Sequence, residues 1–167
     1  MASRSSEGRL ALAAFHRSRK MLGFTRAKRD AVGALLARHR DARILVFTAD
    51  NDAACAIAVE RLVMPITCDI PRAERDRVLD AFRRGELRAL VSSRVLNEGI
   101  DVPDADVAII VAGAGGAREH VQRIGRLLRP APGKHAVVYE LVTASTTEAR
   151  RTSQKRRSLA APRTAPA

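Results

Sequence analysis

A short continuous apolar run at Arg43–Thr48 is followed by strand candidates at Leu87–Ser92, Val107–Val111 and Ala136–Val142, and stretches of helical spacing separate them. Continuous rather than alternating runs mark strands buried on both faces, the environment of a parallel sheet. Between the first two runs, Asp50 and Asn51 can cap a helix whose apolar face holds Ala54, Ile57, Ala58 and Leu62. Pro71 suits the first turn of another helix, which packs through Val78, Leu79 and Phe82 and stops at Gly85. Met64–Cys68 is a further short strand, and Pro65 keeps it near an edge or at its start. Upstream, Thr25 is a plausible N-cap for a helix with Ala31, Val32, Leu35 and Leu36 on one face, ended by Asp41. The expected fold is therefore α/β, an open, mostly parallel sheet flanked by helices. In such sheets ligands bind beyond the carboxyl ends of the strands.

The flanks read differently. Residues 1–8 are small and polar and are expected to be disordered, and 9–24 form a basic linker helix with Leu12, Phe15 and Leu22 as a narrow apolar stripe. Residues 25–143 carry the sheet. From 144 to 167 the apolar rhythm is lost in a basic, mostly flexible tail, within which Glu148–Arg157 is compatible with helix. The 167 residues suffice for one sizeable core.

Charge narrows the partner class. Thirty Lys and Arg against 18 Asp and Glu give a net charge of +12, which suits a polyanion, most simply nucleic acid, although it also serves as a solubilising surface. Tryptophan is absent and tyrosine occurs once, which argues against aromatic base-stacking platforms. No apolar run approaches the roughly 20 residues that span a bilayer, and Met1–Arg9 lacks a signal-type apolar region. The expectation is a cytoplasmic chain with no membrane partner. Cys55 and Cys68 lack zinc-site spacing and are expected to be reduced, buried thiols; no metal site is expected in this chain.

Chemistry concentrates in two segments. In Gln122-Arg123-Ile124-Gly125-Arg126-Leu127-Leu128-Arg129, helical geometry sets Gln122, Arg126 and Arg129 on one face, a guanidinium clamp suited to phosphate. Gly125 weakens a helix by roughly 1 kcal/mol relative to alanine, which suggests close approach by another backbone. The second segment, Val91-Ser92-Ser93-Arg94-Val95-Leu96-Asn97-Glu98-Gly99-Ile100-Asp101-Val102-Pro103, follows a strand. There Ser92 and Ser93 offer hydroxyls to a phosphate, and Gly99 permits close backbone approach. Taken alone, the first is also a solvated arginine face and the second a polar loop.

The spacing of the first segment resembles motif VI of superfamily 2 helicases, the second resembles motif V, and Ile44–Asp50 resembles motif IV. These occur in family order across roughly residues 26–143. The wording around the second segment and the Gln122–Pro130 ending is similar to the XPB-like (SSL2-type) DNA helicases. The resemblance implies the C-terminal, second RecA-like domain of an ATP-dependent motor, with a P-loop NTPase-like fold. By that resemblance Arg126 and Arg129 are catalytic arginine fingers, and Gln122, Gly99 and Asp101 join them at the nucleotide, with Asp101 on the ATP ribose. Thr48, Ser92 and Ser93 follow the nucleic-acid backbone. DNA is the implied nucleic acid.

A complete motor also needs a phosphate cradle, and the sequence lacks one. Gly133-Lys134 is followed by His135 without the earlier glycine of a Walker A loop, and no Asp-Glu pair supplies a DExx box. ATP, with its Mg²⁺, is therefore expected to be held by a first RecA-like domain in the same or another chain. This chain alone is expected to be inactive as an ATP hydrolase. Two other readings accompany this one. One is a stand-alone or degenerate nucleic-acid-binding module without ATPase activity. The other is a dinucleotide-dependent enzyme using Gly113–Gly116, where Arg118 stands in the place of the fingerprint's last glycine.

Overall fold

The structure, a computed structural model, describes residues 5–93, 105–111, 136–146, 148–150 and 152. The elements run α1 (Ser6–Gly23), α2 (Arg26–Arg38), β1 (Ile44–Phe47), α3 (Asn51–Arg61), β2 (Met64–Ile66), α4 (Arg72–Arg83), β3 (Ala89–Ser92), β4 (Val107–Ile110) and β5 (Val137–Glu140). The strands form one sheet in the order β2-β3-β1-β4-β5, and every pairing is parallel. The short strand containing Pro65 lies at an edge, where a missing N–H costs least.

The central strand shows why the apolar runs are continuous. Along β1, Leu45 and Phe47 point to one face, where they pack with Val78, Leu79 and Phe82 of α4 and with Leu90, Ala108 and Ile110. Ile44 and Val46 point to the other, against Val32 of α2, Ala54 and Ile57 of α3, and Ile109. A strand with helices on both faces has no solvent side on which to place a polar residue.

Local signals fix the helix ends. Thr25 accepts from the Lys28 N–H at 3.3 Å, and Asp50 accepts from the Ala53 N–H at 2.9 Å, each satisfying a donor left over by its helix. Pro71 stands one place before α4, at its N-cap. After α4 the chain turns at Gly85, whose φ of +76° is open to glycine at little cost. Beyond it the Arg84 guanidinium grips Glu86 with bonds of 2.6 and 3.0 Å, which holds the Glu86 carboxyl below its ordinary range.

Some expectations change. α1 begins at Ser6 rather than Arg9, because Ser5 caps it by accepting from the Gly8 N–H at 3.0 Å. Residues 6–8 are thus helical, not part of a disordered terminus. Leu62 does not sit on the apolar face of α3: it follows the last helical residue with φ 54° and is 93% exposed, while Val63 turns inward instead. Both cysteines are free and exposed rather than buried.

Candidate nucleotide and nucleic-acid interface

Parallel strands deliver all their outgoing chain ends to one edge of the sheet. The ladder runs on past β1, where the Thr48 N–H donates to Ser92 O and the Val111 N–H to Phe47 O, each at 2.9 Å. Thr48 therefore leaves the sheet between Ser93 on one side and Val111 on the other. From β1 the chain turns toward β2, and from β4 toward β5, so the two connections diverge on opposite sides. Such a divergence is the usual ligand crevice of an open α/β sheet. Both motif segments set out from this edge: residues 94–103 follow Ser93, and residues 112–129 follow Val111.

The three hydroxyls assigned to nucleic acid line this edge, but all are below the surface: Thr48 is 4% exposed, Ser92 1% and Ser93 4%. Thr48 Oγ1 donates to Asp50 O at 2.9 Å and faces Ser92 O at 3.3 Å. Ser92 Oγ donates to Ser93 O at 3.0 Å. Only Ser93 uses a side-chain partner, donating to Asn51 Oδ1 in a short hydrogen bond. Asn51, which the sequence suggested only as a cap, organises the rim. Its Nδ2 donates to Asp69 Oδ2 at 2.6 Å and contacts Cys68 Sγ at 3.1 Å, tying the outlets of β1, β2 and β3 together. Its position beside the capping Asp50 was the available signal.

Across the edge, Lys28 at the start of α2 reaches Val111 O. The other predicted site residues, Gly99, Asp101, Gln122, Arg126 and Arg129, lie outside the described residues, as do Gly113–Gly116. Among the described residues no group of three His, Cys, Asp or Glu side chains is arranged to hold a metal ion. Asp50 is engaged in capping and Asp69 in holding Asn51, so the described edge does not fit a resident Mg²⁺. No helix among the described residues is long and apolar enough to cross a membrane.

Residues 27–131 match the helicase conserved C-terminal domain family. The chain belongs to that family. It is 36% identical over 156 residues to the DNA 3'-5' translocase XPB2 of Sulfurisphaera tokodaii, a match covering 93% of this chain and 35% of the relative. It is 40% identical over 131 residues to the DNA 3'-5' helicase XPB of Mycobacterium tuberculosis, covering 77% of this chain and 24% of the relative. The chain is thus a helicase C-terminal domain similar to XPB helicases, and it spans about a third or less of those relatives' length. The C-terminal domain of the DEAD-box protein Dbp5 has the same fold, with a TM-score of 0.69 at 21% identity over 83% of this chain and 81% of that one. The RecA-like architecture expected from the sequence is the one observed.

Proposed function

We propose that this domain is the second half of an ATP-driven DNA translocase or helicase, providing arginines in trans to an ATP site that a first RecA-like domain completes. The observation that carries the reading is topological. The segments resembling motifs V and VI leave the sheet from β3 and β4, the two neighbours of β1, and so depart from one edge. That edge is where this class of sheet binds ligands.

In this reading ATP and Mg²⁺ sit on the first domain, because this sequence lacks both the Walker A and DExx elements. Bound there, ATP supplies the transferable phosphoryl group. Arg126 and Arg129 meet the charge that develops on it, Gln122 contacts the terminal phosphate, Asp101 contacts the ribose and Gly99 lies by the cleft. Nucleic acid is held through its phosphates at the Ser93 rim. Ser93 has the one hydroxyl of the three whose acceptor is itself a side chain, Asn51, rather than backbone. Thr48 and Ser92 serve mainly to shape the edge from beneath, their hydrogen bonds closing onto main-chain carbonyls.

The test is reconstitution. The purified chain should hydrolyse no ATP. Addition of a first RecA-like domain bearing Walker A and DExx sequences should produce DNA-stimulated turnover. Salt-sensitive nucleic-acid binding that ignores ATP and the added domain would instead make this a stand-alone binding module.

A further inference from the structure

The outlets of three strands meet over one hydroxyl. β3 lies between β1 and β2, and the register sets Ser92 level with Phe47 on one side and Ile66 on the other. Asn51, just past β1, and Asp69, just past β2, therefore come from opposite sides toward Ser93 as it leaves β3. Both are anchored locally. Asn51 opens α3 beside Asp50, which caps the helix by accepting from the Ala53 N–H at 2.9 Å. Asp69 stands in a turn closed by the Ile70 N–H, which donates to Thr67 O at 3.3 Å, and Thr67 is buried.

The donors and acceptors fix which way the Asn51 carboxamide faces. A carboxylate only accepts, so Nδ2 is the end turned to Asp69, donating to its Oδ2 at 2.6 Å with Cys68 Sγ beside it at 3.1 Å. Oδ1 is thereby turned to Ser93, whose hydroxyl carries one proton and donates it there. An amide turned the other way would set Oδ1 against the carboxylate. Through Asn51, Asp69 thus decides where the Ser93 proton is spent.

We propose that Asn51 is a latch on the Ser93 hydroxyl and that Asp69 holds it closed, so that a backbone phosphate gains this donor only by displacing the Asn51 carboxamide. The proposal rests on the reading of Ser93 as a phosphate contact. A contact that carries its own competitor binds less tightly and is given up more readily, which suits a surface that moves along a strand.

Four variants test the latch, read by binding of a single-stranded DNA oligonucleotide at fixed salt. Asp69 is exposed, so its substitution leaves the core untouched. Asp69→Ala removes the holder and should tighten binding about three- to tenfold, the weight of one competing hydrogen bond. Asp69→Asn removes the charge but keeps a carbonyl acceptor for Asn51, and should bind within about twofold of the parent. The gain should vanish in Asp69→Ala/Ser93→Ala, measured against Ser93→Ala. In amide NMR spectra of the free chain, the Nδ2 pair of Asn51 should stand apart from free carboxamides, and should rejoin them in Asp69→Ala but not in Asp69→Asn. Equal tightening in Asp69→Ala and Asp69→Asn would overturn the proposal, because lost charge alone would then explain it. No tightening, tightening that survives without Ser93, or an Asn51 pair already among the free carboxamides in the parent would also overturn it. Binding by Ser93→Ala equal to that of the parent would refute Ser93 as a phosphate contact, while the spectra would still decide whether Asp69 holds Asn51.

Discussion

Leu62 and Gly85 both carry a positive φ, at 54° and 76°, and they carry opposite predictions. A side chain in the left-handed region pays roughly 1–2 kcal/mol that glycine avoids. Leu62→Gly should raise stability by about 1 kcal/mol in urea denaturation, because the exposed leucine gives little packing in return. Gly85→Ala should lose about 1 kcal/mol, although nothing lies within 4 Å of the added Cβ, since the cost lies in the backbone and not in a clash. At the rim, Ser93→Ala should weaken single-stranded DNA binding by about tenfold, the weight of one charge-assisted hydrogen bond. Asn51→Ala should bind at least as well as the parent, because it frees the Ser93 hydroxyl. Equal weakening by both variants would mean that Asn51, not Ser93, meets the phosphate. Sequence patterning revealed that polar groups end β1 and β3. It could not reveal which hydroxyls are spent on backbone carbonyls, because Thr48 and Ser92 meet only when the strands pair.

Among the elements, α1 and α4 are both amphipathic, and among the described residues it is α4 that packs against the sheet. Leu79 is buried beneath the sheet, whereas Leu10 and Met21 on α1 are 67% and 68% exposed. Leu79→Ala should cost about 2–5 kcal/mol and Leu10→Ser within about 0.5 kcal/mol of nothing, as measured on the isolated chain. A larger loss at Leu10 would show that α1 is packed in solution. The strands and helices were legible because burial on both faces dictates continuous apolar runs such as Ile44–Phe47, and because Thr25, Asp50 and Gly85 punctuate the helices with specific chemistry. Periodicity misplaced Leu62 because apolar spacing continues one residue past the point where the backbone leaves the helix. The burial of Lys28 was equally illegible, as its partner Glu148 is 120 residues distant and the lysine by itself reads as one more basic side chain.

For the whole molecule, a net charge of +12 predicts nucleic-acid binding that falls steeply with salt, whatever motor the domain serves. That charge therefore does not discriminate between a motor half and a simple binding module. The proposed division of labour does: if Arg126 and Arg129 act on a nucleotide held by a first RecA-like domain, turnover requires both partners. The Arg126→Ala variant, measured for steady-state ATP hydrolysis with a first RecA-like domain and DNA present, tests this claim most directly. The parent chain alone should show no turnover, mixing should produce it, and the variant should lose on the order of 10³-fold at unchanged domain stability. Hydrolysis by the isolated chain, or undiminished turnover by the Arg126→Ala mixture, would contradict it.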